Sequence, residues 1–310
     1  MEFFDAAEVN RLLTFPVVMD ALEQAHRRPP ISIADTLLGD ENGNYFVRSA
    51  VDPDRFACTK MVTGTPRNLY EGDLPAVQAV VVIFDAHNGR PLASMDGTML
   101  TRWRTAGDSG LGARLLARPD ARTLLVVGAG AMARPLAHSH CAARPGIDRV
   151  LVWNRNADRA REVVADLVTD GLAAEVATDL QAAVRVSDVI STCTRSTEPL
   201  VFGADLKPGA HLDLVGGYTP ATRETDDEAM ARGLVFVDRR EPAFDGVGDI
   251  LSPIASGAIT EADVLGDLHD LVAGRVGRTS PDDITIFKNA GGGHLDLFTA
   301  EALLRVAGRI

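Results

Sequence analysis

The sequence predicts an α/β protein in which a smaller α+β module is joined to a doubly wound parallel sheet. Three observations carry this. Seven short apolar runs between Leu124 and Phe287 alternate with helical stretches, as in a parallel sheet covered by helices on both faces. The first of these runs leads straight into a Gly-x-Gly-x-x-Ala loop and a helix. Before residue 90, short alternating segments are separated by turn signals, as in an antiparallel sheet.

Taken in order, Val9, Leu12, Leu13, Val17, Val18 and Leu22 recur at helical spacing and predict one helix from Ala6 to about Arg27. Arg28-Pro29-Pro30 ends it. Strands are expected at Ala34–Leu38, Asn44–Ser49, Ala57–Thr63 and Ala76–Asp85. Turns are expected at Glu41-Asn42-Gly43-Asn44 and His87-Asn88-Gly89-Arg90-Pro91. The parallel strands are Leu124–Val127, Val150–Trp153, Ala174–Ala177, Asp188–Cys193, His211–Val215, Leu234–Val237 and Ile284–Phe287. A last helix, Leu295–Ile310, follows Gly291-Gly292-Gly293 and is expected to fold back onto the first module.

Of the 310 residues, 31 are Lys or Arg and 43 are Asp or Glu, a net charge of −12. This balance, with no basic run, argues against a nucleic-acid partner. No stretch approaches the ~18 apolar residues of a membrane span. Glu2 and Asp5 stand where a secretory leader would be basic. Cys58, Cys141 and Cys193 form no CxxC pair, disulfide framework or zinc spacing, so a reducing cytoplasm and no metal are expected. Lysine occurs only at Lys60, Lys207 and Lys288, while 28 of the 31 basic residues are arginine. Either codon usage accounts for this, or lysine is kept where a compact ammonium is needed.

Thr123–Val127 followed by Gly128-Ala129-Gly130-Ala131-Met132-Ala133 reads as strand, phosphate loop and helix. Gly128 permits the tight turn, and Gly130 lets the backbone approach a pyrophosphate. Ala131 and Met132 open the helix whose amides attract the anion. This is the fingerprint of a Rossmann dinucleotide site. The second strand ends at Asn154-Arg155-Asn156, where an NAD site usually carries an acid for the ribose hydroxyl. Arg155 offers a fork to a 2′-phosphate instead, which favours NADP(H), with NAD(H) as the alternative.

The chain as a whole resembles the ornithine cyclodeaminase/mu-crystallin family. The resemblance is carried by Lys60-Met-Val-Thr-Gly64, the block Asp96–Ala106, the Gly128–Ala133 loop, Trp153-Asn154-Arg155, Lys207–His211, Arg223–Asp226 and Asp283–Lys288, in one order from end to end. It implies a substrate-binding and dimerisation domain over 1–117 and 290–310, a Rossmann domain over 118–289, and an active site in the cleft between them. It also implies an NAD(P)H-dependent reductase of the C=N bond of an imino acid, or an amino-acid dehydrogenase, acting as a homodimer. Lys60 and Arg104 match the family's substrate-binding Lys and Arg, and serve here as the expected catalytic pair. Arg104 is suited to clamp a carboxylate or a pyrophosphate oxygen, with Thr105 adding a hydroxyl. Lys60 is suited to hold the carboxylate or to handle the imine proton. Gln78 and Asp296 match positions facing the substrate. Thr192, Thr194 and Gly216 lie where family members line the cofactor.

The chain departs from the family pattern twice. Cyclodeaminases carry an Asp that acts on the substrate amines, where this chain has Tyr218. Members often place an Arg directly before the Thr of the early strand. Here Asp35 precedes Thr36, and Arg48 stands one strand later as a candidate replacement charge. A cyclodeaminase-like lyase with bound NAD and an NADPH-dependent binding protein without turnover remain the alternatives.

Overall fold

The computed structural model describes residues 1–40, 43–69 and 74–310; of the turn expected at Glu41–Asn44, residues 41 and 42 lie outside the described residues. The chain divides into two compact units, 1–105 with 292–310 and 106–291.

The first unit is built on a six-stranded sheet. Its strands are β1 (Glu2–Phe4), β2 (Ser32–Asp40), β3 (Gly43–Asp52), β4 (Phe56–Gly64), β5 (Val77–Asp85) and β6 (Pro91–Asp96), in the order β1-β6-β5-β4-β3-β2. All neighbours are antiparallel except β1 and β6. The expected strands are present; β2, β3 and β4 run longer than the alternation suggested, and β5 starts one residue later. Strands β1 and β6 were not foreseen, because a three-residue strand such as Glu2–Phe4 gains its identity from its partner rather than from its own pattern.

The single expected N-terminal helix is two: α1 (Ala6–Leu12) and α2 (Phe15–His26). Pro16 lacks the N–H that a continuous helix would need, so the chain extends through Leu13 and restarts with Thr14 as cap. The C-terminal helix, Gly293–Val306, packs on β3 and β4 and covers one face of the sheet. That face carries Arg48, Ala50, Cys58, Lys60, Val81 and Ile83. The opposite face leaves Leu38, Tyr45, Met61 and Val80 exposed.

The second unit begins inside α3 (Gly97–Leu116), where the sequence reading set the boundary at 117. The reason lies in the second half of this helix. Gly112 packs so closely on Phe287 that a Cβ would come 2.6 Å from its ring. Arg144 donates to the carbonyls of Arg114, Ala117 and Arg118, and Arg278 to that of Leu116, so the carbonyl end of α3 is held by this unit.

Its sheet has eight parallel strands: β7 (Thr123–Val127), β8 (Arg149–Trp153), β9 (Ala174–Val176), β10 (Val189–Thr192), β11 (His211–Leu214), β12 (Leu234–Val237), β13 (Val264–Gly266) and β14 (Thr285–Lys288). They run in the order β13-β12-β14-β11-β10-β7-β8-β9. Strand β13 was not expected. The helices α4 (Ala133–Ala143), α5 (Ala157–Thr169), α6 (Leu180–Val186), α7 (Asp227–Arg232), α8 (Arg240–Ala243), α9 (Gly248–Ser256) and α10 (Leu268–Val272) complete the unit. The order reverses between β7 and β10, the switch point outside which doubly wound sheets bind ligands. Among the described residues, no helix is long and apolar enough to cross a membrane.

Candidate active site

In the first unit, Lys60 lies at the middle of β4 and is 2% exposed. Its Nζ donates to Asp296 Oδ1 at 2.8 Å and to Thr101 Oγ1 at 3.2 Å. Arg104 Nε stands 3.5 Å from the same Asp296 oxygen. The sequence pattern explains this convergence. Lys60 occupies an inward position of an alternating strand, Thr101 and Arg104 share a face of α3 at three-residue spacing, and Asp296 lies in the first turn of the C-terminal helix. Burial pulls the Lys60 pKa down to about 8; Asp296 opposes this, while Arg104 and Arg48 add to it. Asp296 Oδ2 is buried with no hydrogen-bond partner among the described residues.

Arg48 stands directly across from Lys60, but it does not reach for a free site. Its guanidinium is forked onto Asp35, with Nε 3.0 Å from each carboxylate oxygen and Nη2 2.6 Å from Oδ2. Gln78 requires a correction. It pairs with Thr63 in an unbroken β4–β5 register, three residues from Val81, which faces Lys60's side. Strand alternation therefore puts Gln78 on the face opposite Lys60, where it is exposed. Thr105 follows Arg104 on α3 and is 8% exposed.

In the second unit, Gly128 takes φ +119°, and a Cβ there would stand 2.9 Å from the Cys193 carbonyl, so no other residue fits this turn. A Cβ on Gly130 would meet nothing within 4 Å, which leaves the loop open above the start of α4. Met132 gives α4 no side-chain cap and no acid lies in its first turn. Ala133 N donates to the Gly130 carbonyl at 3.1 Å and Pro135 has no N–H, so the backbone of the open loop ahead of them is the part that fits a dinucleotide pyrophosphate.

A pocket of about 450 Å³ opens at the carboxyl ends of β8 and β10, lined by Trp153, Asn154, Arg155, Arg159, Thr194 and Arg195 among others, with no carboxylate. Among the described residues, the guanidiniums of Arg155, Arg159 and Arg195 have no hydrogen-bond or ion-pair partner. Asn156 also lines it, but its side chain caps α5 by accepting from Asp158 N at 2.9 Å. Arg159 was missed, although it stands four residues after Arg155 in the first turn of α5; Arg195 was missed because nothing in the sequence brings it next to β8.

Thr192, Thr194 and Gly216 converge on a residue to which the sequence reading gave no role. Glu224, 0% exposed, accepts from Thr192 Oγ1 at 2.6 Å, from Thr194 N at 2.6 Å and Oγ1 at 2.8 Å, and from Gly216 N at 2.6 Å. A Cβ on Gly216 would lie 1.9 Å from the Thr194 carbonyl. Behind it, Asp249 accepts from Glu224 N at 2.7 Å and from Lys288 Nζ at 3.0 Å, all three side chains being buried. Tyr218 is exposed, and its amide donates to the Gly216 carbonyl at 2.9 Å.

A family model described as the ornithine cyclodeaminase/mu-crystallin family matches residues 9–303. The chain is 42% identical to a Delta(1)-pyrroline-2-carboxylate reductase of Paracoccus denitrificans, over 98% of this chain and 96% of that one. Among solved structures it matches Thermococcus litoralis Delta(1)-pyrroline-2-carboxylate reductase in complex with NADH and L-proline, at TM-score 0.91 and 28% identity, covering 99% of this chain and 97% of that one. It also matches an archaeal alanine dehydrogenase dimer with bound NAD, at TM-score 0.88 and 28% identity, covering 99% and 96% of the two chains.

Proposed function

Because this chain belongs to the ornithine cyclodeaminase/mu-crystallin family, we propose that it is a nicotinamide-dependent reductase acting on the C=N bond of a small imino acid. The observation that carries the reading is the buried Lys60 ammonium beside Arg104, both turned toward the one Asp296 carboxylate. When bound, the reduced dinucleotide supplies the hydride that adds to the imine carbon. Arg104 forks the substrate carboxylate and so fixes the C=N group in place. Lys60, with its pKa near 8, gives the imine nitrogen its proton as the C=N electron pair moves onto nitrogen. The resulting amine N–H is the donor that Asp296 Oδ2 lacks. The test is oxidation of NADPH or NADH by purified protein with a panel of cyclic ketimine carboxylates. Turnover on at least one of them, with a cyclic amino acid as product, is expected; cofactor binding without turnover on any would overturn the reading.

For the cofactor, three guanidiniums and no acid around the adenosine-side pocket favour the 2′-phosphate of NADP(H) over the bare hydroxyl of NAD(H). The matched solved structures contain NADH or NAD, so this preference is argued from the present residues alone. Arg155→Ala is expected to weaken NADPH binding by about tenfold to a hundredfold, the worth of a lost guanidinium–phosphate pair, and to leave NADH binding within about twofold. Titration calorimetry with both cofactors checks it, and an equal loss for both would refute it.

A homodimer is supported by the exposed apolar face of the first sheet, where Leu38, Tyr45, Met61 and Val80 lie in adjacent register rows. Met61→Asp at the centre of that face is expected to yield monomers, with the mass read by light scattering. A cytoplasmic location fits the three free cysteines.

A further inference from the structure

We propose that Glu224 is a positioning residue for the dinucleotide, holding the pocket wall that carries Arg195. The inference rests on the cofactor reading above. That wall is the stretch from Thr194 to Leu200, of which Thr194, Arg195, Ser196 and Leu200 line the pocket together with Asn154, Arg155 and Arg159. It follows β10 without belonging to a strand or a helix, so no sheet ladder fixes its backbone. Residues 223 and 224 take the place of the ladder. At one end of the wall, Glu224 Oε1 accepts from Thr194 N at 2.6 Å and from Thr194 Oγ1 at 2.8 Å. In the middle, Arg223 N donates to the Ser196 carbonyl at 2.9 Å. At the other end, the Glu224 main-chain carbonyl accepts from Leu200 N at 2.9 Å.

The clasp itself has little freedom. The second carboxylate oxygen takes bonds from Thr192 Oγ1 and Gly216 N, and the Glu224 N–H goes to Asp249, which also holds Lys288. A Cβ on Gly216 would stand 2.5 Å from Glu224 Oε1 as well as 1.9 Å from the Thr194 carbonyl, so the end of β11, the wall and the carboxylate are packed in one tight layer. An ionised carboxylate suits this place because both of its oxygens accept and neither donates. An amide there would set its NH₂ against the Thr194 or the Gly216 N–H, and the wall would have to shift. The Arg195 guanidinium has no partner among the described residues, so it stands where its backbone puts it. A misplacement of about 1 Å is enough to cost a charged pair much of its worth. Being fully buried, Glu224 acts through the wall rather than by contact.

The experiment is a double-mutant cycle. Dissociation constants for NADPH are measured by titration calorimetry on wild type, Arg195→Ala, Glu224→Gln and the double variant, each with its thermal midpoint. Thr194→Val, alone and with Arg195→Ala, removes one bond to Glu224 without touching the buried acid, and serves the same cycle if Glu224→Gln does not fold. Arg195→Ala and Glu224→Gln are each expected to weaken NADPH by about tenfold, and Thr194→Val by about threefold. The Glu224→Gln and Arg195→Ala double variant is expected to lose no more than about thirtyfold, where independent effects would multiply to about a hundredfold. Damage to folding alone lowers the thermal midpoint without coupling to Arg195. If NADPH affinity is unchanged in the folded variants at 224 or 194, or unchanged in Arg195→Ala, or if the single losses multiply in full, the positioning role is wrong while the cofactor reading stands. If wild type does not bind NADPH, the cofactor reading falls and this inference falls with it.

Discussion

Lys60→Ala is expected to lower kcat/KM for a cyclic ketimine by about a thousandfold, the usual worth of a positioned proton donor. NADPH affinity should not change, because the loop and pocket that fit the dinucleotide lie in the other unit of the chain. The pH profile supplies a second readout. With the Lys60 pKa lowered to about 8, the ammonium is present below that pH and lost above it. Reductive turnover should therefore fall as pH rises through about 8. Lys60→Arg keeps the positive charge at any accessible pH, so whatever activity it retains should lack that alkaline limb. A profile with the same limb in both proteins would remove Lys60 from the proton-transfer step. Thermal unfolding belongs in the same experiment, since truncation leaves the fully buried Asp296 with Arg104 as its remaining ion-pair partner. A cost of about 3 kcal/mol is typical of breaking a buried pair.

The second large effect concerns stability and pH. Four donors converge on Glu224, a set that an ionised carboxylate satisfies in full. Burial, and then the neighbouring Asp249, act against that charge and push its pKa up to about 7, despite Lys288 and the hydrogen bonds. A carboxyl whose pKa is higher folded than unfolded favours the folded state most where both forms are protonated, below about 4.5. This contribution is lost as pH rises through about 7. The shift corresponds to about 3 kcal/mol, so wild type is expected to lose that order of stability between pH 5 and pH 8 from this group alone.

Glu224→Gln removes the slope and turns an NH₂ toward either the Thr194 or the Gly216 amide, leaving that donor unmatched. The variant should be less stable than wild type at pH 5, and the gap should narrow or reverse by pH 8. Urea unfolding at the two pH values measures this. Other groups, such as His211, whose pKa burial drives down to about 3, cancel in the comparison between the two proteins. A gap that stays constant with pH would mean that Glu224 does not titrate in this range.

Much of the second unit was legible because its signals are local. A buried strand, a glycine turn and a small residue against the helix can be read within eleven consecutive residues, and β7 with α4 lies where they indicated. Lys60, Arg104 and Asp296 are adjacent in space but up to 236 residues apart in sequence, so only the resemblance to a family joined them beforehand. What stayed hidden depended on register and burial. Gln78 looked equivalent to its neighbours until β4 and β5 were paired, and one residue of offset decides its face. Glu224 carried no visible role because its partners come from the ends of two other strands.

All three lysines are ion-paired with aspartates. Lys60 and Lys288 are both buried against aspartates, and Lys207 bonds Asp188 and the Val186 carbonyl that ends α6.

The helix Gly293–Val306 supplies an acid and a cover to a sheet whose strands are made of residues 2–96. On the ribosome, that sheet emerges long before its cover, with Thr101 within reach of Lys60 but Asp296 not yet made. The whole second unit, 106–291, is synthesised in the interval and is free to fold first as a self-contained body. The Lys60–Asp296 pair spans 236 residues and can close only after the second unit has been made. A chain stalled before residue 296 would therefore carry a finished nucleotide loop and a lysine without its aspartate, so the site of the first unit waits on a residue made after the whole of the second.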